Sequence, residues 1–95
     1  MSYFDELSNI DRITRYREYL ETEPPSLEAT AKKMVVDEIL NKIMEGFGEP
    51  ITVADSTYFK YMEYAAYAKD TNDGDKIFLG MAEEADYIAS LCYVF

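Results

Sequence analysis

The sequence predicts an all-α fold: a compact bundle of about four helices in a single domain over residues 1–95. Three observations predict it. Apolar residues recur at three- and four-residue intervals through most of the chain, the period of an amphipathic helix. Turn-forming residues interrupt that pattern at three places, Pro24-Pro25, Gly46-Phe47-Gly48 with Pro50, and Thr71-Asn72-Asp73-Gly74, and so mark off four segments. Hydrophobic residues make up 48% of the 95, enough for one core in a chain too short for two. No internal repeat, low-complexity tract or sustained heptad points to another architecture.

Ser8 stands three residues before Asp11, a spacing in which a hydroxyl and a carboxylate satisfy the free amides of a helix start. It places the first helix at residues 9–22, with Ile10, Ile13, Tyr16 and Leu20 on one face. Phe4 and Leu7 keep the interval but drift around the axis, so residues 2–7 are expected to form a separate short helical turn, packed as a lid. The second helix, residues 26–46, opens at Ser26 after the proline pair and closes at Gly46. Its apolar stripe changes side, because at about 100° per residue Leu27, Ala31 and Met34 lie nearly opposite Val36, Leu40, Ile43 and Phe47. Such a helix either crosses between two neighbours or turns one half toward a second copy, and in the latter case Leu27, Ala31 and Met34 form an oligomer seam.

Thr52 and Asp55 repeat the capping spacing and predict a third helix over 53–69. Asp73 or Asp75 caps the fourth, which runs from 75 to the end with Phe78, Met81, Ala82, Ala85, Ile88, Ala89 and Cys92 as the most regular apolar face of the chain. Residues 51–54 and 91–95 carry some β-propensity, so a short strand pair is the competing outcome.

Composition excludes several kinds of chemistry. The chain has no histidine and one cysteine, Cys92, which removes the usual general base and nearly all ligands for zinc, haem or iron–sulfur centres. No carboxylate pair sits in an apolar context that would raise one pKa, so no catalytic residue, metal or cofactor is assigned and no enzyme activity is expected. Asp70-Thr71-Asn72-Asp73-Gly74-Asp75 glances at a calcium loop, but with Gly74 at the sixth position the first is Lys69 and the twelfth Gly80, where carboxylates are required. It reads as an Asx-rich turn. Gly46-Phe47-Gly48 is followed by no Gly-Lys-Ser/Thr and is not a phosphate loop. With 19 acids, 9 bases and a net charge of −10, direct nucleic-acid binding is not expected, and the third helix, with Glu63 between Lys60 and Lys69, is no recognition helix. No apolar run approaches the ~20 residues of a bilayer span, and the N-terminal residues show no basic-then-apolar leader pattern, so a cytoplasmic protein is expected.

The most informative feature is aromatic. Tyr58, Phe59, Tyr61, Tyr64 and Tyr67 cannot share one face of the third helix. Centring the core on Ala54, Tyr58, Tyr61 and Ala65 turns Phe59, Glu63 and Tyr67 outward, and the same projection of the fourth helix turns Glu83, Glu84 and Tyr87 outward. Exposed rings beside carboxylates have the chemistry of a patch for a basic protein partner, although burial of the third helix all round would explain the rings equally well. The anionic excess is heavier in residues 46–95, with 9 acids and 3 bases, than in residues 1–45, with 10 and 6. In size, charge and architecture the whole chain resembles small phage-encoded inhibitors of the anti-restriction and anti-CRISPR type, a resemblance of profile carried by no motif. It implies an inhibitor of a nucleic-acid-handling complex that occupies a basic surface through Phe59, Glu63, Tyr67, Glu83, Glu84 and Tyr87. The alternative is a structural adaptor or oligomer subunit using the two-faced second helix; a small-molecule binder with a tyrosine-lined pocket between the last two helices is the third reading.

Overall fold

A computed structural model describes the backbone over residues 3–69 and 74–92, and the side chains from Ser8 onward within those ranges. Four helices follow one another: α1 (Tyr3–Glu21), α2 (Leu27–Met44), α3 (Pro50–Ala68) and α4 (Gly74–Leu91). The fold is an all-α bundle. There is no strand among the described residues: 51–54 form the first turns of α3, Leu91 ends α4, and 93–95 lie outside the described residues.

The helix ends show which local signals prevailed. Ser26 caps α2, its hydroxyl oxygen accepting the Ala29 amide at 3.0 Å. At the other end Gly46, with φ +86°, donates to the Ile43 carbonyl at 3.1 Å, and Phe47 donates to the Lys42 carbonyl at 3.0 Å. That pair of bonds closes the helix and requires a left-handed residue, the reason a glycine stands there. Two capping spacings are overturned. Residues 3–7 continue α1 without a break, so no separate N-terminal turn exists and Ser8 lies inside the helix rather than at its cap. α3 begins at Pro50, whose fixed φ and missing N–H suit the first helical position, leaving Thr52 and Asp55 exposed within the helix. A Ser-x-x-Asp or Thr-x-x-Asp spacing is equally at home on a solvated helix face. Asp75 stays in the first turn of α4, accepting the Lys76 amide at 2.9 Å, while Asp73 and most of the Asx-rich turn lie outside the described residues.

The core is aliphatic at its centre, where Ile13, Leu20, Val35, Val36, Ile39 and Ile88 are wholly buried. α3 and α4 make the most intimate pair in the bundle. Their buried positions include Ala54, Ala65, Ala82, Ala85 and Ala89, small side chains that let two backbones approach closely. At one end of this seam three rings replace the alanines: Phe78 lies 6.3 Å from Tyr61 and 5.5 Å from Tyr64, centroid to centroid.

α2 packs against all three other helices. Its core side runs from Ala29 through Val35, Val36 and Ile39 to the half-buried Leu40 and Ile43. The opposite stripe stays largely at the surface, Leu27 being 77% and Met34 58% exposed with Ala31 half-buried, and Phe47 is exposed beyond the C-cap. Its neighbours meet it through the core side, and polar groups add ties to two of them: Arg17 and Lys33 reach Asp37 and Glu21 between α1 and α2, and Lys60 and Tyr61 of α3 reach Glu38.

Candidate interaction site

The charge on the surface is segregated. Among the described residues six of the nine bases form ion pairs, and the acids they engage there lie on α1 or α2: Arg15 with Asp11, Arg17 with Glu21 and Asp37, Lys32 with Glu28, Lys33 with Glu21, and Lys42 and Lys60 with Glu38. A seventh, Arg12, donates to the Leu91 carbonyl at 3.2 Å and ties α1 to the electronegative end of α4. The acids Asp55 and Glu63 of α3, and Glu83 and Asp86 of α4, form no ion pair among the described residues. Glu18, Glu23, Glu45 and Glu49 form none there either, so unpaired acids contribute to the net charge of −10 outside α3 and α4 as well.

On α3 this exposes a ridge. Asp55, Phe59, Glu63 and Tyr67 follow one another at four-residue spacing, acid alternating with ring, and all four are exposed. Phe59 is 67% and Tyr67 79% accessible, although the Phe59 ring meets Tyr58 edge-on with centroids 5.3 Å apart. The core side of the same helix holds Ala54, Tyr61 and Ala65, with Tyr58 half-buried. The outward projection of Phe59, Glu63 and Tyr67 is thus observed, and burial of α3 all round is not. Asp55 is the member of the ridge that its reading as a helix cap concealed.

The α4 trio separates. Glu83 is exposed as projected, and Tyr87 is half out, its inner flank resting on the Tyr16 ring at a centroid distance of 4.9 Å. Glu84 is not outward at all: it is 7% exposed and accepts a hydrogen bond from the Tyr16 hydroxyl of α1. Its direction on the helix puts it at the margin of the core face, and a helical projection does not register that α1 covers that margin. Burial pushes its carboxyl above the ordinary range, with the Tyr16 bond working the other way, and the same contact and burial push the Tyr16 phenol up. Glu83 and Glu84 line a groove of about 780 Å³ between the N-terminal halves of α2 and α4, together with Leu27 and Ala31 of the proposed seam. Phe59, Glu63, Tyr67 and Tyr87 do not line it, so of the six candidate residues the groove gathers Glu83 and Glu84 alone.

Other polar groups are committed to the framework. Glu38 is half-buried, its Oε1 accepting the Tyr61 hydroxyl at 2.6 Å and its Oε2 bonded by Lys60. Burial opposes its ionisation, but Lys60 and Tyr61 outweigh it and hold the carboxyl below its usual range. Cys92 is buried, which pushes its thiol up to about 11 and leaves it protonated and unreactive at neutral pH. Among the described residues no cluster of acids and thiol could hold a metal ion, and no helix is long and apolar enough to cross a membrane. No protein-family model, curated protein or solved structure matches the chain.

Proposed function

We propose that the protein acts by contact, as an anionic interaction protein that occupies the basic surface of a nucleic-acid-handling complex and so keeps nucleic acid from it. The observation that carries this reading is the uncompensated ridge Asp55, Phe59, Glu63 and Tyr67 on α3. Its rings offer the contact area on which binding energy concentrates, and its carboxylates suit a site rich in Lys and Arg. Glu83 and Tyr87 extend the anionic surface on α4. Glu84, being largely buried, is no part of this exposed surface. The profile shared with phage-encoded anti-defence inhibitors agrees with this mode of action, which would be exercised in the cytoplasm, the host's if the chain is phage-encoded.

Competition tests it. The wild type displaces DNA or RNA from its partner, Phe59→Ala weakens binding about 30-fold with little salt dependence, and Glu63→Lys weakens it most at low salt. A partner that holds this protein and nucleic acid together, each without affecting the other, overturns the reading. The exposure of Leu27 and Met34 favours a second one, a subunit or adaptor that buries this stripe against another chain.

A further inference from the structure

The groove between α2 and α4 is separate from the α3 ridge and is built differently. Leu27 and Ala31 on one side and Ile77 and Met81 on the other give it aliphatic walls. Gly80 opens the α4 side, where an added Cβ would meet nothing within 4 Å. Its volume of about 780 Å³ is that of a small-molecule site, which spans roughly 300–1,000 Å³. The polar lining is uneven. Glu28 and Lys32 pair with each other at 3.9 Å on α2, and Lys76 and Glu83 stand on α4.

Glu84 differs from these rim groups. It is more than nine-tenths buried, yet no ion pair reaches it among the described residues, and its only hydrogen bond is from Tyr16 to Oε1. Oε2 accepts nothing among the described residues, and Glu84 is one of the residues that line the groove. Of the charges that act on it, Lys32 attracts while Glu23 and Glu28 repel. A largely buried carboxylate with one hydroxyl partner and no ion pair among the described residues is costly, and a cation that brings its own aliphatic body would relieve both the charge and the exposed walls.

We propose that this groove binds an aliphatic ammonium ion, its alkyl chain along Leu27, Ala31, Ile77 and Met81 and its ammonium group on Oε2 of Glu84. The site is independent of the ridge and goes beyond the function proposed above. The ligand chemistry belongs equally to a free alkylamine and to a lysine side chain set among aliphatic residues.

Titration with n-hexylammonium chloride at 150 mM salt, followed by amide shifts, tests it. The shifts should centre on Leu27, Ala31, Gly80, Met81 and Glu84, and affinity should rise about three- to fourfold per added methylene. Binding should strengthen as pH rises and Glu84 ionises. Glu84→Gln, which keeps the shape and the Tyr16 bond, should weaken binding about tenfold or more and abolish that pH dependence. Gly80→Leu fills the groove without strain and should block binding while leaving the helix at least as stable. Phe59→Ala should leave hexylammonium binding unchanged, so failure of the ridge and failure of the groove are told apart. A blocked Leu-Lys-Leu peptide distinguishes the sources: binding by both probes assigns a partner's lysine, and binding by hexylammonium alone assigns a free amine. Binding by neither, equal binding of n-hexanol, shifts spread over the surface acids, or an unaffected Glu84→Gln variant would each overturn the proposal.

Discussion

Replacing Glu38 by alanine should be the most damaging single change to a polar residue of this bundle. The carboxylate accepts from Tyr61 at 2.6 Å and from Lys60, and a second base, Lys42, stands at 3.4 Å. Hydrogen bonds to charged groups contribute about 1.5–3 kcal/mol each when desolvated. Lys60 and Lys42 keep about a third of their side-chain surface in water, so their share is reduced by screening, whereas the Tyr61 hydroxyl belongs to a buried residue and would lose its acceptor. A loss of about 2–4 kcal/mol follows, which for a domain of this size lowers Tm on the order of 10–20 °C. The pH dependence has a definite sign. Because the folded carboxyl titrates below its ordinary range, the ionic part of this stabilisation is complete above the unfolded value near 4.3 and is lost as pH falls through the folded value. Urea denaturation of wild type, Glu38→Ala and Glu38→Gln, from pH 7 down to the lowest pH at which all unfold cooperatively, measures both. A difference under about 0.5 kcal/mol at pH 7, or one that does not shrink in acid, would refute this account of the network.

Glu84 should behave in the opposite sense. Its folded pKa is raised, so stability is lost as pH rises from the unfolded value through the folded one, and Glu84→Gln should be more stable than wild type near pH 7 with the gain vanishing in acid. Raising salt from ~10 to ~150 mM, which shortens the Debye length from ~30 to ~8 Å, should raise Tm, because the net charge of −10 repels itself; an unchanged Tm would mean that the repulsion is local and already relieved. Met34→Glu should leave a folded monomer. If the wild type sediments as a dimer and the variant does not, the stripe of Leu27, Ala31 and Met34 is a seam, and a wild-type monomer removes that reading.

What could be read in advance was whatever depends on one helix at a time. The periodicity of Phe78, Met81, Ala85 and Ile88 and the glycine stop after α2 are properties of a single segment, and both appear in the structure. The outward turn of Phe59, Glu63 and Tyr67 was legible for the same reason. Glu84 was not, because its environment is set by Tyr16, 68 residues earlier in the chain, and a helical wheel has no place for a third helix. Asp55 was hidden by a competing local signal, the Thr-x-x-Asp spacing, which Pro50 pre-empted. Nor does any spacing show that Glu38 would gather Lys60 and Tyr61 from another helix, although a Glu and a Lys four apart in α2 are visible as a local pair.

The distribution of charge follows from how each seam is closed. Besides their apolar contacts, α1, α2 and α3 are tied by long side chains, Arg17 with Asp37, Lys33 with Glu21 and Lys60 with Glu38, and these junctions use three of the nine bases in the chain. α3 and α4 meet instead through alanines and three packed rings, and need no such ties. Their outer faces carry Asp55, Glu63, Glu83 and Asp86, which form no ion pair among the described residues. The ridge is consequently mounted on the most closely packed pair of helices in the bundle, at fixed four-residue intervals on one rigid element. Rings and carboxylates held in that way lose little backbone freedom when a partner covers them, so more of their contact energy is realised as affinity. A surface that served solubility alone would have no use for Phe59 and Tyr67 standing open to water on such an element, and it is the pairing of exposed rings with unbalanced acids on a stiff support that argues for recognition.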